Sequence, residues 1–151
     1  MTWLLIIGGI ALVFWLASQG RKAKQRAAVD GLRDHFPPIA RMHLVAACPG
    51  LDPVLKETEL RLLFDWILIQ LYRRTGSSGF GDLMRWSVEH GPAEATSLTA
   101  DISLEAVERL PQPVLAVIDG CQGRAVAAVL IDQSLNEAGA RVQPELDRKY
   151  V

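Results

Sequence analysis

The sequence predicts a mainly α-helical protein, with a single N-terminal transmembrane helix followed by a small compact helical domain. The chain opens with MTWLLIIGGIALVFWLASQG, in which no charged residue lies between Trp3 and Ala17. Beyond this stretch, apolar residues recur at helical spacing in segments that are separated by Pro and Gly. A minor β-strand is possible only at residues 114–118, and it has no second strand to pair with. These three observations favour an all-α body behind a membrane anchor.

Residues 1–20 have the length and composition of a transmembrane anchor. A helix over residues 2–19 would be roughly 27 Å long, close to the ~30 Å hydrocarbon core of a bilayer. A cleaved export signal has basic residues before its apolar stretch, whereas here they follow it. A buried helix of a soluble domain would normally have one polar face. We therefore expect the span to be retained in the membrane.

The segment that follows the anchor is basic. We expect residues 21–36 to form a juxtamembrane helix that ends at Pro37 and Pro38. The excess of Lys and Arg on this side predicts a periplasmic N-terminus and a cytoplasmic C-terminal domain. Arg outnumbers Lys by 12 to 4, a bias that we associate with bacterial genomes, so the expected location is a bacterial inner membrane. The predicted membrane-interface residues are Trp3, Trp15, Arg21, Lys22, Lys24 and Arg26.

The charge of the remaining chain excludes one class of partner. The whole sequence has a net charge of −1, but its first 29 residues contain four basic residues and no acidic one. The chain beyond them is therefore acidic, and an acidic surface repels the phosphate backbone of nucleic acids. The expected partners are instead the lipid bilayer, through the basic segment, and other proteins.

The predicted cytoplasmic domain, residues 37–151, consists of helices whose ends are marked by Pro and Gly. One helix is predicted from an N-cap at Asp52 to Gly76, and another from 82 to 90. Residues 91–100 are predicted to be a loop. The remaining predictions are a helix that begins after Ser103, a helix rather than a strand at 114–118, and a helix from Arg124 to Ala138 that ends at Gly139.

The apolar content of this domain has two interpretations. Hydrophobic residues make up 50% of the chain, which is high for a small domain even when the anchor is included. The surplus is either core or a surface that packs against other subunits. We expect a central helix that is enclosed on most sides, followed by a flexible stretch and a further helix. The residues in question in these segments are Leu63, Phe64, Trp66, Ile67, Tyr72, Phe80 and Trp86.

No residue pattern predicts a cofactor or a metal site. His35, His43 and Cys48 lack the paired spacing of zinc ligands. Cys48 and Cys121 are 73 residues apart, and in a reducing cytoplasm free thiols are expected. The RRTGSSGFGD segment follows a helix and lacks the Gly-Lys-Ser/Thr ending of a phosphate-binding loop, so a surface loop is favoured.

One segment resembles part of an enzyme family. LPQPVLAVIDGCQGRAVAAVL is similar to a stretch of the enoyl-CoA hydratase family, in which a glycine-rich loop polarises a thioester carbonyl. The resemblance covers about 20 of the 151 residues, and Cys121 and Gln122 interrupt the glycine run. The segment is therefore interpreted as core packing.

Three functional hypotheses follow. The leading one is a non-enzymatic, single-pass accessory or scaffold subunit, whose cytoplasmic domain binds partner proteins of a larger membrane assembly such as secretion, conjugation or envelope machinery. One alternative is a small membrane-tethered enzyme that uses the Gly120–Gly123 turn and Cys121. The other is a soluble cytosolic adaptor with an N-terminal interaction helix. No catalytic motif and no small-molecule substrate are predicted.

Overall fold

The computed structural model describes residues 22–150, so the predicted anchor and its residues Trp3, Trp15 and Arg21 lie outside the described part of the chain. Over residues 22–150 the chain forms six α-helices, one 3-10 turn (Pro49–Leu51) and no strand. The all-α prediction and the choice of a helix at 114–118 are confirmed. The helices are α1 (Lys22–Ala47), α2 (Glu57–Thr75), α3 (Phe80–His90), α4 (Pro92–Glu108), α5 (Gln112–Asp119) and α6 (Arg124–Tyr150).

The two longest helices, α1 and α6, pack antiparallel and form the centre of the fold. Two side-chain contacts show the register, because His43 Nε2 lies 2.8 Å from Glu137 Oε1 and His35 Nε2 lies 3.4 Å from Glu145 Oε1. The helices also approach closely at Gly31, where an added Cβ would lie 2.9 Å from a methyl carbon of Val142. α2 and α4 cover the same core from other sides. Its fully buried members include Phe36, Leu44, Leu60, Ile102, Ile131 and Leu135.

The predicted end of a helix at Pro37 is wrong, because α1 continues through both prolines to Ala47. Proline in a helix removes a backbone donor and strains the preceding turn. Here the face of α1 around the prolines is anchored in the core, since Phe36, Ile39 and Ala40 are each at most 2% exposed. Packing in the core therefore maintains a helix that local sequence rules would end.

The start of α2 also differs from the prediction. The segment 49–51 forms a 3-10 turn instead of leading into an α-helix at Pro53, and α2 begins at Glu57. Lys56 is the N-cap, and its backbone N–H donates to the Glu59 carboxylate at 3.4 Å. The side chain of Asp52, which was predicted to be the N-cap, accepts a hydrogen bond from Arg41 at 2.7 Å. At the other end, the predicted stop at Gly76 is confirmed, with a left-handed φ of 69°.

The predicted loop at 91–100 is wrong, as is the N-cap at Ser103. α4 begins at Pro92 and runs through Ser103 to Glu108. Pro92 occupies the first turn of the helix, where a backbone N–H has no intrahelical acceptor. The absence of an N–H in proline therefore costs no helical hydrogen bond there. The buried side of α4 consists mainly of small residues at helical spacing: Ala95, Thr99, Ile102, Ser103 and Ala106. Small and polar residues are also typical of loops, which explains the wrong prediction.

α6 does not end at Gly139, contrary to the prediction. It extends through Gly139 and Pro144 to Tyr150. Gly139 is buried, and Val142 and Leu146 continue the apolar face beyond it with at most 4% exposure. The glycine therefore lies at a packed position in the helix and does not form a C-cap.

Within residues 22–150, no single helix combines the length and the apolar character needed to cross a membrane. The helix pair Gln112–Asp119 and Arg124–Lys149 would do so together, by length and composition, but with a bend of 110° between the two helices.

Candidate functional site

The outer face of α2 carries exposed apolar side chains. Leu62 is 70% exposed and Ile69 is 49% exposed, so this face of the helix is not enclosed. Trp66 lies between them and is half-buried. These three residues have spacings of four and three, which place them on one side of the helix. We call Leu62, Trp66 and Ile69 the outer stripe.

Cationic side chains lie beside the outer stripe. The guanidinium carbon of Arg109, at the end of α4, lies 5.0 Å from the centre of the Trp66 ring, a cation–π distance. Arg73 follows Ile69 by one turn on the same side of α2. Among the described residues, neither arginine forms an ion pair with a carboxylate. The stripe is thus an apolar surface with two arginines beside it that form no ion pair among the described residues.

The inward face of α2 belongs to the core. Of the residues that the sequence singled out as core or partner-binding, Leu63, Phe64 and Ile67 are at most 4% exposed. Phe80, in the first turn of α3, is also 4% exposed. These four side chains pack inside the domain, so of the residues singled out on α2 only Trp66 belongs to the exposed stripe.

The two remaining aromatic candidates lie away from the stripe. Trp86 is half-buried and stacks on His90, with ring centres 4.2 Å apart. Tyr72 is also half-buried, and this burial raises the pKa of its phenol. It lines a separate cleft between α1, the end of α2 and the start of α3.

That cleft has a volume of about 570 Å³ and is lined by both acids and bases. Arg33 donates to Asp30 at 3.1 Å, and Arg85 donates to Asp82 at 2.6 Å. Asp82 also accepts hydrogen bonds from Ser78, and these lower the pKa of its carboxyl. Two of the three arginines that line the cleft are therefore paired with carboxylates, and Arg26 is the third.

The predicted membrane-interface residues that fall within the described range have different environments. Arg26 is exposed and lies at the edge of the cleft. Lys24 is only 1% exposed, so its stem is packed against protein. Lys22 is at the start of α1.

The turn between α5 and α6, which the enzyme hypothesis invokes, is held by one bidentate ion pair. Arg124 donates to Asp119 through Nε at 2.9 Å and through Nη2 at 3.1 Å. Gly123 has a left-handed φ of 87°, which a side chain would strain. Cys121 is exposed on this turn. Within residues 22–150, no histidine or carboxylate bonds to its thiol, so the groups that commonly activate a cysteine nucleophile are lacking there.

The structure brings the two cysteines together. The interaction with the Cys121 side chain, together with burial, raises the pKa of Cys48. The Cys121 thiol also lies 3.8 Å from the carbonyl oxygen of Ala47. The sequence predicts free thiols, and the spacing of the two cysteines gives no signal that they lie close together.

The histidines that were considered as metal ligands are engaged in the α1–α6 interface. His43 and His35 contact Glu137 and Glu145. In the described part of the chain, no group of three or more His, Cys, Asp or Glu side chains could hold a metal ion.

Comparison with known proteins gives no match, whether to a protein-family model, to a curated protein or to a solved structure.

Proposed function

We propose that this chain is a non-enzymatic, single-pass inner-membrane accessory subunit whose cytoplasmic helical domain binds partner proteins of a larger membrane assembly. The observation that carries the proposal is the outer stripe of α2, with Leu62 70% exposed at its N-terminal end. The uncharged stretch from Trp3 to Ala17 and the basic residues after it support the anchor. An exposed leucine alone is ordinary, but three large apolar residues along one helix face offer a continuous contact surface.

The chemistry of the stripe indicates the kind of partner. A strip of Leu, Trp and Ile along one helix fits the apolar face of a second amphipathic helix. Arg73 and Arg109 lie next to the strip without a carboxylate partner among the described residues. Acidic residues on the flank of the incoming helix would pair with them, and the Arg109–Trp66 stack would become a desolvated contact at the centre of the interface. The partner is thus expected to present an amphipathic helix with acidic flanks.

Charge placed on the stripe should abolish partner binding without unfolding the domain. We test the double variant Leu62→Asp/Ile69→Asp of the full chain, extracted in mild detergent. The amount of co-purified partner protein should fall at least about tenfold relative to the wild type, because each Asp must be desolvated in the interface. The melting temperature should change little, since both positions are exposed. Quantitative mass spectrometry of the co-purified proteins measures the loss.

Val88→Asp is the matched control. Val88 is 60% exposed on α3, outside the stripe, so this substitution adds one Asp, against two in the stripe variant, to a different apolar surface position. This variant should retain the partners. Unchanged binding by the stripe variant, or equal loss from the Val88 variant, would show that the outer stripe is not the partner surface.

The proposed topology has its own test. A phosphatase that is active only after export, fused after Val151, should be silent, whereas a fluorescent protein fused there should glow. Replacing the four basic residues with Gln should let some chains insert in the opposite orientation; these residues are Arg21, Lys22, Lys24 and Arg26. Strong phosphatase activity from the unmutated fusion would place the domain in the periplasm. Release from membranes by a carbonate wash would instead favour the soluble adaptor.

A further inference from the structure

Two segments that are far apart in sequence meet where α1 ends. Cys48 follows α1 directly and is buried, with its thiol 3.9 Å from the carbonyl oxygen of Val117. Cys121 lies on the turn after α5, with its thiol near the carbonyl oxygen of Ala47. Gly50 also packs against the Val117 side chain, since a Cβ at Gly50 would lie 3.3 Å from Val117 Cγ1. The two cysteines are therefore brought together by contacts on both flanks.

We propose that Cys48 and Cys121 are a redox-active dithiol site, which exchanges with disulfide-bearing small molecules or proteins to form a reversible intramolecular disulfide. The two thiols differ in access, because Cys121 is exposed and Cys48 is 2% exposed. An exposed thiol can attack an incoming disulfide, and a buried neighbouring thiol can then resolve the mixed disulfide. This proposal is independent of the function proposed above.

The chemistry balances as two successive exchanges. The Cys121 thiol loses its proton, and the thiolate attacks one sulfur of the incoming disulfide, which breaks the S–S bond and releases the first thiolate. Cys121 is then joined to the second half of the oxidant. The Cys48 thiol, after losing its proton, attacks Cys121 Sγ, forms the Cys48–Cys121 bond and expels that second half. The protein dithiol is oxidised by two electrons, and the oxidant is reduced to two thiols, which take up the protons.

The environment of Cys48 orders these steps. Its interaction with the Cys121 side chain and its burial both favour the neutral thiol, as its raised pKa indicates. A buried neutral thiol is a poor first attacker. Once Cys121 carries the mixed disulfide, its sulfur lies beside the end of α1, next to Cys48, so the second exchange is intramolecular and fast.

The test uses the purified full-length chain in mild detergent, with oxidised glutathione as the oxidant and dithiothreitol as the reductant. The oxidised protein should lose the mass of two hydrogen atoms, and its digest should contain one peptide pair joined through Cys48 and Cys121. The melting temperature should rise by about 5 to 15 °C, because the bond closes a long loop. Dithiothreitol should reverse both changes. A trivalent arsenical, which bridges paired thiols, should bind the reduced protein in a one-to-one ratio.

Single substitutions separate the two roles. Cys48→Ser should accumulate glutathione on Cys121, because nothing resolves the mixed disulfide, whereas Cys121→Ser should react little at the buried Cys48. Cys48→Ala repeats the first test without placing a hydroxyl in the core, in case the serine variant fails to fold. A stable glutathione adduct on wild-type Cys121, dimers linked through Cys121, or no reaction at all would overturn the proposal.

Discussion

Replacing Phe36 with alanine is expected to lower the free energy of unfolding by about 3 to 5 kcal/mol. Phe36 is 0% exposed at the centre of α1, and its ring packs against that of Phe64 with centroids 5.8 Å apart. Truncation removes the buried apolar area, leaves a cavity and deletes this aromatic contact, which joins α1 to α2. Since the whole stability of a domain is about 5 to 15 kcal/mol, much of the protein would be unfolded near physiological temperature. Thermal or denaturant unfolding followed by circular dichroism measures the change.

Leu62→Ala is the control for this prediction. It removes an apolar side chain of similar chemistry from α2, but one that is 70% exposed, so it should change the stability by no more than about 0.5 kcal/mol. Equal effects of the two substitutions would mean that the α1–α2 packing around Phe36 contributes little to the stability of the domain.

Gly31→Leu is expected to destabilise the protein by about 1 to 3 kcal/mol through overpacking between α1 and α6. Already the first carbon of a side chain at this position would lie 2.9 Å from one methyl carbon of Val142 and 3.1 Å from the other. Because both helices are held in register by further buried contacts, the strain has to spread into the backbone. Chemical denaturation of the variant gives the magnitude.

A double-mutant cycle tests the cause. In a Val142→Ala background, the space opposite Gly31 is larger, so the same Gly31→Leu substitution should cost less, with a coupling energy of about 0.5 to 3 kcal/mol. Gly79→Ala is the matched control, because a Cβ there meets no atom within 4 Å. Additive effects of Gly31→Leu and Val142→Ala would show that this close approach does not limit the packing of the two helices.

Local sequence signals predicted the parts of the fold that depend on local chemistry. The stop of α2 at Gly76 requires a left-handed residue, which glycine supplies at little cost, and it was predicted correctly. The prolines at 37 and 38 show the opposite case. Each interior proline costs a helix about 3 kcal/mol, but full burial of a large apolar side chain contributes about 1.5 to 3 kcal/mol. Phe36, Ile39 and Leu44 together offset the cost of the prolines, and only the packed structure reveals that they are buried.

Both surfaces that carry the proposals depend on the tertiary arrangement. Leu62 and Ile69 are as apolar as Leu63 and Ile67, so the sequence of α2 has apolar residues on most sides and does not say which side stays uncovered. The contact between Cys48 and Cys121 spans 73 residues of sequence and arises because the 3-10 turn after α1 packs on α5. The spacing of the two cysteines in the sequence does not predict such a contact.

The antiparallel pairing of α1 and α6 also determines how the domain bears a mechanical load. The beginning of α1 and the end of α6 lie at the same end of the helix pair, whereas the cysteines lie where α1 ends and α6 begins. Tension between residues 22 and 150 therefore pulls the two helices apart from that end, one turn after another, instead of shearing all their contacts at once. The contacts near Gly31 and His35 are loaded first, and those of His43 follow. A disulfide between the two cysteines would link α1 and α6 at the opposite end of the pair. The redox state of the cysteines would then determine how far the two helices can be pulled apart.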